Sequence, residues 1–162
     1  MNYPDADSLI QSFRATYWLI THQARSVTHE ESLLQLPFRA NCMNWIVGHL
    51  VMERDFVLTL LGEEPVWAEE EYLLYRTNSK PILPGSKAVR FEKILKDLEI
   101  SQQRILGALE RLHPERLESP ASIDGKDGPI STLIAGYHWH ETYHCGQLEI
   151  LRQLAGKDDK VV

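Results

Sequence analysis

The chain has 162 residues, enough for one domain with a buried core, and its 43% hydrophobic and 25% charged content is ordinary for a globular protein in water. A net charge of −6, with no compact run of Lys and Arg, argues against a nucleic-acid partner. No apolar run approaches the ~18 residues of a transmembrane helix, so no membrane partner is expected. The start, MNYPDADSLI, carries no basic and apolar secretory pattern, and two cysteines, Cys42 and Cys145, make no disulfide framework. A cytoplasmic protein of one domain, spanning 1–162, is the expectation.

Four segments repeat their apolar residues at helical spacing. The first runs from Asp7 to Val27 through Leu9, Phe13, Tyr17, Ile20 and Ala24, with Asp5, Asp7 and Ser8 as capping residues. The second follows Asn41 and ends at Gly62, with Ile46, Leu50, Phe56, Val57 and Leu60 inward. The third opens after Ser86, carries Phe91, Ile94, Leu98, Ile105 and Leu109, and stops before Pro114. The fourth begins near Ser131 and reaches Leu154, with Gly156 just beyond.

No strand competes, because β-branched residues are scattered without sustained alternation. Four helices of about 20 residues, roughly 30 Å each, predict an all-α four-helix bundle. Between the second and third lies GEEPVWAEEEYLLYRTNSKPILPGS, long enough to cross the bundle so that those helices run parallel. Its Trp67, Tyr72 and Tyr75 suit the wall or lid of a pocket, or else an amphipathic piece sealing a bundle end.

The fourth segment contains H-E-x-x-H, His140 to His144. Along it Leu133, Tyr137, His140, His144, Leu148 and Leu151 are spaced by four and three, so both histidines share the apolar face. Residues four apart are neighbours on a helix, close enough for two imidazoles to hold one ion. A third ligand is needed, and His49, halfway along the second helix, is the natural choice. Three mid-bundle histidines with open positions describe a catalytic metal site. His22, His29 and His113 fall at polar or terminal places, and His138 points away from His140.

A metalloprotease takes its third ligand downstream, but CGQLEILRQLAGKDDKVV offers no histidine there, so a metal-dependent hydrolase is a minor alternative. A di-iron carboxylate site would pair Glu141–His144 with Glu110–His113, yet these pairs lie at different depths. A non-catalytic bundle, its metal structural or absent, is the competing class.

Gly48-His49-Leu50 on the second helix, followed by His140-x-x-x-His144-x-Gly146-Gln147 on the fourth, resembles the DinB/YfiT-like metal-binding superfamily. That resemblance implies an up-down-down-up bundle, a homodimer, and zinc or nickel on His49, His140 and His144. It also implies a transferase acting with a low-molecular-weight thiol on a small-molecule substrate. Cys145 stands where that superfamily often has Arg.

An ion on three histidines lowers the pKa of a bound thiol or water. Glu141 is the candidate catalytic base; Glu53, one turn past His49, is a candidate fourth ligand or supporting carboxylate. Gln147, one turn past His144, is placed to orient a ligand. Cys145 turns away from the metal face, and Cys42, near a helix start, is a candidate for a lowered pKa.

Overall fold

A computed structural model describes residues 4–162. In chain order it has α1 (Ala6–Ala24), α2 (His29–Ser32), α3 (Met43–Leu60), α4 (Glu69–Tyr75), α5 (Phe91–Arg111), α6 (Pro114–Leu117), β1 (Pro120–Ile123), β2 (Lys126–Pro129) and α7 (Ile130–Leu154). The fold is predominantly helical. Each of the four long helices packs on two others: α1 on α5 and α7, and α3 on the same pair. Among the described residues no helix is long and apolar enough to cross a membrane.

Local chemistry explains most boundaries. The Asp5 side chain accepts from the Ser8 amide at 2.8 Å and caps α1. That helix ends at Ala24 rather than Val27, because Ser26 adopts a left-handed φ of 63°. Val27 then leads into α2, which Thr28 and Glu31 start with reciprocal side-chain bonds to each other's amides. At the far end of α3, Gly62 turns the chain with φ of 80°. Pro114 does stop α5, and it opens α6 as that helix's first residue.

The β1–β2 hairpin corrects the expectation of no strands. Ile123 pairs with Lys126, leaving a two-residue turn whose Asp124 and Gly125 both have positive φ, 50° and 69°. Asp-Gly is the sequence such a turn demands.

The long connection is fastened along its length. Asp55 on α3 accepts from the amides of Val66 and Trp67 at 2.7 and 3.0 Å. The Trp67 indole donates to Asp97 on α5 at 2.6 Å. Tyr75 donates to Asn44 at 2.8 Å while its hydroxyl accepts from the Val89 amide at 2.9 Å. Trp67 and Tyr75 are buried, so this segment is a fixed wall over α3.

Candidate metal centre

Within that wall, the carbonyl of Tyr75 is aimed at α3. A carbonyl can only accept, so the His49 Nδ1–H donates to it, at 2.8 Å. This fixes the tautomer: the neutral ring carries its lone pair on Nε2. Trp45, one turn earlier on α3, stacks on the imidazole with centroids 4.7 Å apart. Burial lowers the His49 pKa to about 4, so the ring is neutral at physiological pH.

Gly48 makes this arrangement possible. A Cβ there would overlap Cδ1 and Cε1 of the Tyr75 ring. Gly48→Ala is therefore expected to cost about 1–3 kcal/mol by overpacking. By shifting Tyr75 off His49 it should also weaken metal affinity, about 10–100-fold. Urea unfolding and a chelator-competition titration check both effects, and an unchanged midpoint with unchanged affinity would contradict them.

From α7, His144 is held in the same way. Its Nδ1–H donates to Gln147 Oε1 at 2.7 Å, and the Gln147 amide nitrogen donates to the Tyr143 hydroxyl at 3.2 Å. Its pKa too is lowered, mainly by burial, as is that of His140. His140 Nε2 lies 3.1 Å from His49 Nε2 and 3.0 Å from His144 Nε2. The three ligand atoms all fall within 4.8 Å of one another.

Hydrogen bonding among the three rings cannot satisfy this geometry. His49 and His144 each present a lone pair, and His140 has one Nε2 proton at most to offer them. One lone pair therefore stays unmatched, a costly condition for a buried acceptor. A divalent ion satisfies all three. Nitrogens bound at ~2.0–2.1 Å around a tetrahedral zinc stand roughly 3.3 Å apart, close to the spacing found here. The donor set therefore fits a divalent metal.

Glu53 Oε1 is 3.7 Å from His49 Nε2, beside the cluster but too far for a hydrogen bond. Burial pushes its carboxyl pKa up to about 7, against the pull of Lys126. Glu53 also lines a cavity of about 210 Å³ with Met52, Phe56, Tyr72, Arg76, Thr77 and Asp124. A larger cavity of about 360 Å³, lined by Asp7, Pro114, Leu117 and Ser131 among others, contains no group of the histidine cluster.

Glu141 is in a different environment, and the expectation of a catalytic base does not fit it. Arg54 Nε and Nη2 donate to its two oxygens at 2.7 and 2.8 Å, and Thr16 of α1 donates to Oε1 as well. Burial alone would raise its pKa, but Arg54 and Thr16 outweigh that and hold it below the ordinary glutamate value. A carboxylate so committed is a structural anion, not a proton acceptor for the cluster. The HExxH hydrolase reading loses its base.

The remaining residues divide simply. His138 packs edge-on against Phe13, half-buried and apart from the three-histidine group. His29 Nδ1 accepts from the Phe91 amide, and His22 bonds its own helix. Glu110 pairs with Arg14 and His113 is exposed, so they supply no second metal pair. Cys145 is a buried core thiol whose pKa burial pushes up to about 12. Burial also raises the Cys42 pKa, opposite to the expected lowering at a helix start.

Sequence reasoning missed Tyr75 as the group that orients His49, and it missed Arg76 lining the cavity beside Glu53 and Lys126 next to Asp124 there. The Asp-Gly turn was the available signal for the hairpin that carries Lys126.

No family model and no curated protein matches the sequence. Among solved structures, the fold matches a DinB-like protein from Bacillus cereus with a TM-score of 0.70. The match covers 96% of this chain and 95% of that one, at 17% identity. The chain therefore has the DinB-like fold over nearly its whole length.

Proposed function

We propose that this DinB-like chain is a divalent-metal protein whose ion, zinc or nickel, is held by the Nε2 atoms of His49, His140 and His144. The observation that carries the reading is the pair of fixed tautomers. Tyr75 and Gln147 hold the Nδ1 protons, so that two lone pairs converge with His140 at 3.0–3.1 Å. Outer partners of this kind orient and strengthen histidine ligands. We further propose the up-down-down-up helix order and assembly as a homodimer. Exposed Trp139, Tyr143 and Ile150 on α7 support a second copy as the partner. Two free cysteines suit a cytoplasmic setting.

Three protein ligands leave at least one position for an exogenous group. When bound, the ion supplies Lewis acidity that turns a thiol into a thiolate nucleophile at neutral pH. The residues around it favour an enzyme over a structural site. The cluster has a cavity on its flank, Glu53 lies 3.7 Å from His49 and lines that cavity, and the connection from Val66 to Val89 walls them in. The reaction class we infer is transfer of a low-molecular-weight thiol sulfur to an electrophilic small molecule.

Cobalt titration tests this reading. The protein is expected to bind one ion per chain with a tetrahedral visible spectrum, and a low-molecular-weight thiol should add a sulfur-to-metal charge-transfer band. Cobalt binding with no response to any thiol would contradict the transferase and leave the non-catalytic metal bundle.

A further inference from the structure

Lys126 opens β2, and its exposed side chain lies over the Tyr137 ring of α7. Its Nζ stands 4.4 Å from the centre of the Tyr137 ring and 3.8 Å from Asp124 Oδ2. Tyr137 lies three residues before His140 on the same buried stripe of α7. Asp124, the neighbour of Lys126 across the turn, lines the cavity that Glu53 also lines. The hairpin thus brings a cation next to the cavity, beside its lining residue Asp124.

A second cation comes from another element. Arg76 ends α4, directly after the residue whose carbonyl orients His49, and it lines the cavity with Glu53 and Asp124. Its guanidinium has no ion-pair partner among the described residues. Formal charge then favours a particular ligand. Three neutral imidazoles leave a divalent ion with its full charge, and Glu53 and Asp124 together offset only that. Lys126 has Asp124 as its neighbour, and with such an ion counted Lys126 and Arg76 leave a surplus of positive charge beside the small cavity.

We propose that Lys126 and Arg76 select the substrate: a small, carboxylate-bearing molecule seated in the cavity, its anionic end between the two cations and its reactive end toward the histidines. Guanidinium and ammonium groups make charge-assisted bonds to carboxylate, and partial enclosure strengthens them. At the inner end the carboxylate would meet the Glu53 carboxyl, and the two cations lie away from it, which sets the orientation. The inference rests on the metal reading above, and its test separates the two.

The test uses cobalt-loaded protein and two thiols of similar size, 3-mercaptopropionate and 2-mercaptoethanol. Dissociation constants are read from the charge-transfer band for wild type, Lys126→Gln, Arg76→Gln and the double variant. Both residues are exposed, so the variants are expected to fold and to bind cobalt as wild type does. The ratio of the two constants within each protein cancels the intrinsic difference between the thiols. Wild type is expected to favour 3-mercaptopropionate about tenfold more than the double variant does, with each single variant between. Equal ratios in wild type and double variant would overturn the proposal. Cobalt binding without a band from either thiol would overturn it together with the thiol reading, leaving the metal. Failure of wild type to bind cobalt would remove the metal reading itself, and the proposal with it.

Discussion

Replacing Arg54 by Met is expected to lower the unfolding free energy by about 3–5 kcal/mol, read as a large fall in the urea midpoint. Arg54 and Glu141 are 1% and 2% exposed, so neither charge has water to turn to. Beyond its two bonds to Glu141, the guanidinium donates through Nη1 to the Leu98 carbonyl and to Ser101, each at 3.4 Å. It also lies 5.7 Å from the Phe13 ring centre and 5.9 Å from that of Tyr17. Methionine keeps much of the volume but leaves a buried carboxylate with Thr16 alone. The double variant Arg54→Met/Glu141→Leu removes that stranded charge and should recover most of the loss.

Acid should act on the same pair. The folded-state pKa of Glu141 is depressed, so its stabilisation is present above the unfolded value, about 4.3, and fades as pH falls through the folded one. Wild type should therefore lose stability on the acid side in a way the double variant does not. A midpoint for Arg54→Met within about 0.5 kcal/mol of wild type would contradict this account of Glu141. It would also reopen the reading of that residue as a base for the metal site.

Glu141 marks where a local sequence pattern stops. The i, i+4 seam of α7 names His140 and His144 because both fall on the apolar stripe, and a stripe is a property of sequence alone. His49 follows from depth along α3. Glu141 is one residue on, turned by about 100°, and its surroundings depend on what α1 and α3 bring there. A lone Arg in a helix is normally exposed, so nothing in the local pattern marks Arg54 as buried. Cys42 fails similarly: its helix position suggests a lowered pKa, but tertiary packing buries the thiol and reverses the sign.

Short elements were the other gap. Each hairpin strand has four residues, and Lys126–Pro129 has no apolar alternation to find. The turn was visible in Asp124-Gly125, and the strands that make it a hairpin were not. Lys126 and Asp124 reach the cluster's flank only through that hairpin. The four long helices needed no such help, since each carries several turns of inward apolar residues.

Loss of metal from His49→Ala and His144→Ala is the second large effect. Either change removes one of three nitrogens and leaves two, fewer than a stable zinc or nickel site requires. The two substitutions test different parts of the fold. His49 comes from α3 with its proton held by Tyr75, and His144 comes from α7 with its proton held by Gln147. Neither residue touches the Arg54–Glu141 pair, so both variants should still fold. The deciding measurement is metal content per chain by mass spectrometry on protein purified without a histidine tag, wild type beside both variants. About one zinc or nickel per wild-type chain, absent from both, is the predicted result. A wild type that stays metal-free after reconstitution, or variants that keep the full complement, would contradict the three-histidine centre.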